Sequence, residues 1–306
     1  MKIAIVGAGA MGSLFGALLA EAGAEVWLHD IWREHVEAIN QNGLKIERDG
    51  KTRRVSVKAA WDPQQIGRVD LTIIFVKSTQ TAQAAETASR LIGSEGHVLT
   101  LQNGMGNADV IAERVAAKRI LAGTTAHGAT MLGPGSIRHA GVGATVIGIW
   151  AGGELGLKRA RQFADYFTRA GIETDAVEDV RGVIWDKLLV NVGINAITAL
   201  TGIKNGEILD LETTRELSRM AVEEAQAVAN AQGIKTRDDA VEHVLKVSKA
   251  TALNRSSMGQ DVDHKRQTEI GAINGFIVRE AARLGLKAPV NRTLTALIET
   301  LQHHYQ

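Results

Sequence analysis

The chain contains no cysteine among its 306 residues, which removes disulfides, thiol nucleophiles and cysteine-based metal sites together. That absence fits a cytoplasmic location. Formal net charge is +1, so the chain as a whole presents no field that would gather a polyanion. Nothing combines basic with aromatic residues as a nucleic-acid platform does, so no nucleic-acid partner is expected. No apolar stretch reads as long and uninterrupted enough to span a bilayer. The opening "MKIAIVGAGAMG" enters a strand-like run at once, without the features of a secretory signal. A soluble protein with no membrane partner is expected. The histidines at His127, His139, His243 and His264 lack metal-ligand spacing, so no metal site is expected either.

What is present is length and a change of texture. The chain is long enough for two domains, each able to bury a core. Short apolar runs at Lys2 to Val6, Glu25 to His29, Asp70 to Lys77, His97 to Gly104 and Arg119 to Gly128 alternate with helical stretches. That alternation marks a doubly wound, Rossmann-type α/β sheet. The run "GSIRHAGVGATVIGIW" reads as two further strands at an edge of the same sheet. After about Asp179 the pattern becomes helical: Trp185 to Leu200, Leu211 to Ala231, Asp239 to Ser248, a long helix from Ser257 to Leu284, and a last one around Thr293 to His304. The expected division is a dinucleotide-binding domain over 1–179 and an all-helical substrate or dimerisation domain over 180–306.

"GAGAMG" places Gly7, Gly9 and Gly12, with Ala10 and Met11 between the last two, between a strand and a helix. Gly7 permits the tight turn and Gly9 lets the backbone approach a pyrophosphate. Gly12 allows close packing of helix on strand. The second strand ends at Asp30, where an acid accepts hydrogen bonds from an adenosine ribose and repels a 2′-phosphate. Asp30 therefore favours NADH mildly. Its bland reading is an N-cap for the following helix, and Arg33 lies near enough in sequence to meet a 2′-phosphate.

Along the apolar helix "WDKLLVNVGINAITALTG", Lys187, Asn191 and Asn195 recur every four residues and share one stripe. A lone lysine there reads as one that reaches solvent or pairs with an acid. Two amides on the same stripe read instead as the polar wall of a cleft. A lysine whose pKa is lowered by desolvation is a suitable proton donor to the oxygen of a carbonyl being reduced. Further on, Ser257 and Gln260 fit a capping box, and a serine at a helix start also suits a substrate carboxylate. Glu269, beside an apolar face, is an ion-pair partner or a site residue.

Together these segments resemble the ketopantoate reductase (2-dehydropantoate 2-reductase) family over essentially the whole chain. The matching pieces are "GAGAMG", "VKSTQT", "LQNGMGN", "WDKLLVNVGINAITALTGIKNGE" and "SSMGQDVDHKRQTEIGAINGF". The resemblance implies NAD(P)H-dependent reduction of ketopantoate to pantoate, with Lys187 as general acid. It implies substrate contacts from Asn191, Asn195, Asn205, Ser257 and Glu269, and it sets Asn103 between substrate and cofactor. Lys77 then lies beside the cofactor. NADPH is the family habit, which Asp30 opposes. Two rivals remain: reduction of another 2-oxo or 3-oxo acid, and a catalytically silent dinucleotide sensor. A homodimer through the helical half is allowed.

Overall fold

The computed structural model describes residues 1–151 and 153–305. The chain forms two compact units, one of Met1–Gln102 with Asn107–Val180, the other of Asn103–Gly106 with everything from Arg181 onward.

In chain order the first unit holds β1 (Lys2–Val6), α1 (Ala10–Glu21), β2 (Glu25–His29), α2 (Arg33–Asn42), β3 (Leu44–Arg48), β4 (Lys51–Val55), β5 (Lys58–Ala60), β6 (Val69–Ile74), α3 (Thr81–Leu91) and β7 (Ile92–Thr100). It continues with α4 (Asn107–Ala112), β8 (Ile120–Thr125), β9 (Gly128–Gly133), β10 (Ser136–Gly141), β11 (Thr145–Ile149), α5 (Gly153–Arg169) and β12 (Thr174–Val177). Eight strands make one sheet in the order β12-β11-β8-β7-β6-β1-β2-β5. From β5 to β8 every pairing is parallel. Strand β1 lies inside this run, with Ile3 opposite Val26 on one side and Leu71 on the other, so its apolar run is buried on both faces.

The run from Ser136 to Ile149 does not behave as one edge pair. Strand β11 joins the main sheet antiparallel to β8, whereas β10 enters a separate four-stranded sheet, β4-β3-β10-β9. This second sheet and the first both touch α1. Its two-sided cover is why α1 is apolar nearly all round, with Gly12 through Ala17 and Leu19 buried. The β3–β4 hairpin turns at Asp49 and Gly50, both at positive φ (50° and 72°), the conformation that an Asp-Gly pair favours in a tight hairpin.

The second unit is helical: α6 (Val180–Thr201), α7 (Glu212–Ala231), α8 (Ala240–Ala250), α9 (Ser257–Asp263), α10 (Asn274–Arg283) and α11 (Pro289–His303). By length and composition alone α6, with 22 residues, qualifies to cross a membrane, contrary to the sequence expectation. Most of it is buried, as a core helix of a packed domain is. The expected long helix from Ser257 to Leu284 is two helices. Helix α9 stops where Lys265 takes φ +52°, and the chain stays out of helix until α10 apart from a short turn at Ile270–Ala272. Gln302 on α11 holds that break, since its Oε1 accepts both the N–H and the hydroxyl of Thr268.

Candidate active site

The phosphate turn follows β1. Gly7 has φ +94°, and a Cβ there would meet the Val76 nitrogen at 2.6 Å. A Cβ on Gly12 would lie 2.0 Å from the Gly7 carbonyl oxygen, so the helix start sits directly against the turn. Gly9 is different: a Cβ there would meet nothing within 4 Å, and no side chain caps α1. An open backbone face at an uncapped helix N-terminus is what a pyrophosphate requires, and these residues fit a dinucleotide. Ala10 and Met11 form the first turn of α1.

At the end of β2, the Asp30 carboxylate accepts the Trp32 N–H at 3.0 Å through Oδ1. Trp32, not Asp30, is the N-cap residue of α2. The Arg33 guanidinium lies over the Trp61 ring, 4.4 Å from its centroid. Lys77 is half-buried just after β6, at the head of the short turn Ser78–Gln80. A polar lattice that sequence reasoning missed fixes this loop. The Gln102 amide donates to Val76 O and to Thr81 Oγ1, both at 2.8 Å. Thr100 donates to Gln102 Oε1, and Thr81 to Asn107 Oδ1, each at 2.9 Å. The available signal was a buried glutamine at the end of an otherwise apolar strand.

In the helical unit, Lys187 is half-buried and Asn195 buried on α6. Burial pulls the Lys187 ammonium down to a pKa of about 8, against the opposing pull of the Glu269 carboxylate. Glu269 is itself buried at the head of the short turn Ile270–Ala272, not on a long helix. The Asn103 amide donates to Glu269 Oε2 at 3.3 Å. Asn103 arrives there because the next residues are pinned to the same turn: the Met105 N–H donates to Ala272 O at 3.0 Å. Between them Gly104 stands at φ +82°, where a Cβ would come within 2.4 Å of that carbonyl oxygen. Lys187, Glu269 and Asn103, far apart in sequence, are thus brought together within one unit.

The two serines divide their duties. Ser256 caps α9, its hydroxyl oxygen accepting the Gly259 N–H at 3.0 Å and the Thr198 hydroxyl at 2.7 Å. The cap is therefore Ser256 rather than the expected Ser257, because Thr198 on α6 selects Ser256; the reciprocal bond of a capping box is not made, since the third helical residue is Gly259. Ser257 is left exposed. Arg255 braces the same corner, donating to Asp263 at 2.8 Å and to Ile203 O at 2.9 Å. Asn195 Nδ2 and Asn205 Oδ1 are buried without a partner among the described residues, so each offers a hydrogen bond still unmade. Asn205 also donates to Thr251 Oγ1 at 3.0 Å. Asn191 lies half-buried one turn from Lys187.

An ammonium poised near neutrality, in a chain that also builds a dinucleotide turn, defines an oxidoreductase that uses a nicotinamide cofactor. Residues 3–152 match the family model "Ketopantoate reductase PanE/ApbA", and 179–302 match its C-terminal counterpart. The chain belongs to the ketopantoate reductase family. It is 38% identical over 303 residues to a 2-dehydropantoate 2-reductase of Halobacterium salinarum, covering 99% of each chain. Among solved structures, a PanE/ApbA family ketopantoate reductase from Ralstonia eutropha superposes with a TM-score of 0.91 at 35% identity, covering 100% of both chains. A D-mandelate dehydrogenase, solved with NADH and anilino(oxo)acetate, superposes with a TM-score of 0.93 at 30% identity, covering 100% of this chain and 99% of its own.

Proposed function

We propose that the chain reduces ketopantoate to pantoate, the step that feeds pantothenate and coenzyme A synthesis. The observation that carries this reading is Lys187, held near pKa 8 beside Glu269 and Asn103. A proton donor for reduction must be charged at working pH yet release its proton readily, and a pKa near 8 meets both demands. A reduced nicotinamide held by the residues of the phosphate turn would supply the hydride for C2 of the keto acid. Lys187 gives its proton to the oxygen on that carbon. Glu269 keeps Lys187 protonated, and Asn103 keeps Glu269 in place. Ser257 takes the substrate carboxylate. Asn191, Asn195 and Asn205 read the hydroxyl end, where the unmade hydrogen bonds of Asn195 and Asn205 suit a polyfunctional substrate.

Residues 1–179 would then carry the dinucleotide, with Gly7, Gly9, Ala10, Met11 and Gly12 around the pyrophosphate and Lys77 near the nicotinamide half. Residues 180–306 would carry the keto acid and, in a homodimer, the contact between copies. Asp30 favours NADH over NADPH: a 2′-phosphate there would meet a carboxylate, and Arg33 is engaged with Trp61. A cytoplasmic location follows from the pathway.

The test follows cofactor absorbance with purified protein and ketopantoate, NADH and NADPH being run in parallel. Turnover with NADH in preference to NADPH is expected. The fold shared with D-mandelate dehydrogenase makes phenylglyoxylate the competitor to include. Higher kcat/KM for phenylglyoxylate would overturn the substrate, and dinucleotide binding without turnover of either acid would move the reading to another oxo acid and next to a sensor.

A further inference from the structure

One buried histidine of the first unit is linked through its partners to the phosphate turn, to the turn after β2 and to the second sheet. His35, on α2, has no exposed surface. Its Nδ1 accepts the N–H of Gly135, in the turn between β9 and β10, at 2.9 Å. That bond assigns the proton to Nε2, which faces Ser13 Oγ at 3.2 Å. The Ser13 hydroxyl in turn donates to Ala8 O at 2.7 Å. On its flat side the ring stacks on Trp32, with centroids 5.2 Å apart and planes within 10°. Trp32 is the residue whose N–H holds the Asp30 carboxylate.

The consequence at Ala8 is geometric. In a trans peptide the C=O and the following N–H point in opposite directions. Holding Ala8 O on Ser13 therefore turns the Gly9 N–H away from Ser13, at a residue whose added Cβ would meet nothing within 4 Å. That N–H is a donor a pyrophosphate needs. We propose that His35 is a positioning residue for dinucleotide binding: it braces the phosphate turn through Ser13 and the acid-bearing turn after β2 through Trp32, and is anchored by Gly135 of the second sheet.

The brace works only with a neutral ring. A proton on Nδ1 would confront the Gly135 N–H, and burial already holds the His35 pKa below the ordinary value. The Asp30 carboxylate acts in the opposite sense, and Glu34, which accepts from Trp32 Nε1 at 2.9 Å, is the other acid on this turn. Acidification below neutrality therefore weakens the brace. His127 and His139, a buried stacked pair, have pKa values lowered by burial in the same sense, so the variant must isolate His35.

This inference rests on the dinucleotide reading of the cradle, and the experiment separates the two. NADH binding to the full chain would be measured by calorimetry from pH 7.5 down to about 5.5, the range flanking an ordinary histidine. Wild type, His35→Phe and Ser13→Ala would be compared, with near-ultraviolet circular dichroism to confirm folding. The phenylalanine keeps the stack on Trp32 and removes both hydrogen bonds. We expect His35→Phe to bind NADH about tenfold more weakly at pH 7.5, with KM for NADH raised and kcat at saturation little changed. Part of the wild-type loss of affinity on acidification should vanish in it. Ser13→Ala should show the same rise in KM while keeping the titrating ring, which preserves the test if the histidine variant does not fold. Wild-type affinity and pH slope in both variants would overturn the proposal. Failure of the wild type to bind any dinucleotide would overturn the cradle reading itself.

Discussion

The cradle of the first unit is made of backbone, whereas the lysine site of the second is made of side chains. In the cradle the decisive features are the positive φ of Gly7, the Gly12 contact with the Gly7 carbonyl and the open face at Gly9. No titratable group need lie in it for an anion to be held. At the lysine site the opposite holds. On the proposed reading, reduction there uses an ammonium shifted by burial, a carboxylate beside it and an amide that fixes the carboxylate. Backbone sites bind an invariant part of a cofactor, and on the inference above this one feels pH only through the His35 brace behind it. Side-chain sites are tuned to one proton transfer and are correspondingly easy to detune.

Lys187→Ala is the sharpest way to separate the two. It should lower kcat by about 10²–10⁴, the usual worth of a positioned acid, while NADH affinity stays within about twofold. Stopped-flow turnover beside calorimetric binding checks both halves. Equal loss of binding and turnover would mean that the regions are not functionally distinct.

Gly104→Ala probes a place where the side-chain site depends on backbone freedom. An alanine at φ +82° is strained, and its methyl would strike Ala272 O. The Asn103 amide should then leave Glu269, lowering kcat by about ten- to a hundredfold with NADH affinity retained. Unchanged kinetics would show that Asn103 does not need this anchor.

Asp30→Asn tests the reverse exception, a charged side chain in the backbone region. Removing the carboxylate should shift the NADH-to-NADPH ratio of kcat/KM by about tenfold toward NADPH, because repulsion of a 2′-phosphate disappears. Chain folding should be unaffected, since Trp32 rather than Asp30 caps α2. A ratio that does not move would transfer cofactor choice to Arg33 and Trp61.

The same contrast explains what could be read in the amino-acid sequence. The glycine turn and the parallel strands are local, with period and spacing carried by neighbouring residues, and so they were legible. The β3–β4 hairpin was equally local, advertised by Asp49-Gly50, but strands β3 and β4 lack the apolar run that draws attention to a strand. The break between α9 and α10 was not legible. Apolar periodicity resumes at Ile270, so the pattern continues through a segment that Gln302, some thirty residues away, holds out of helix. Ser256 displaced Ser257 as cap for a similar reason, the choice being made by Thr198. The meeting of Asn103 with Glu269 spans 166 positions and has no local trace. Only the family resemblance brought those residues together beforehand.

The smallest expected effect is a shift in a pH profile, and it addresses how the side-chain site is tuned. Lys187 must carry its proton to donate it, so kcat/KM for reduction should be level below pH 8 and fall tenfold per unit above it, the limb lying at about 8. Glu269 raises the lysine pKa, since a carboxylate favours the neighbouring ammonium, while burial lowers it. Glu269→Gln removes the favourable charge and leaves the burial. The falling limb should therefore move to lower pH, in addition to any loss of rate at the plateau. A limb that stays put would mean the carboxylate acts on substrate alone. A limb that moves upward would reverse the sign of the coupling and with it the assignment of Glu269 as the group that keeps Lys187 charged.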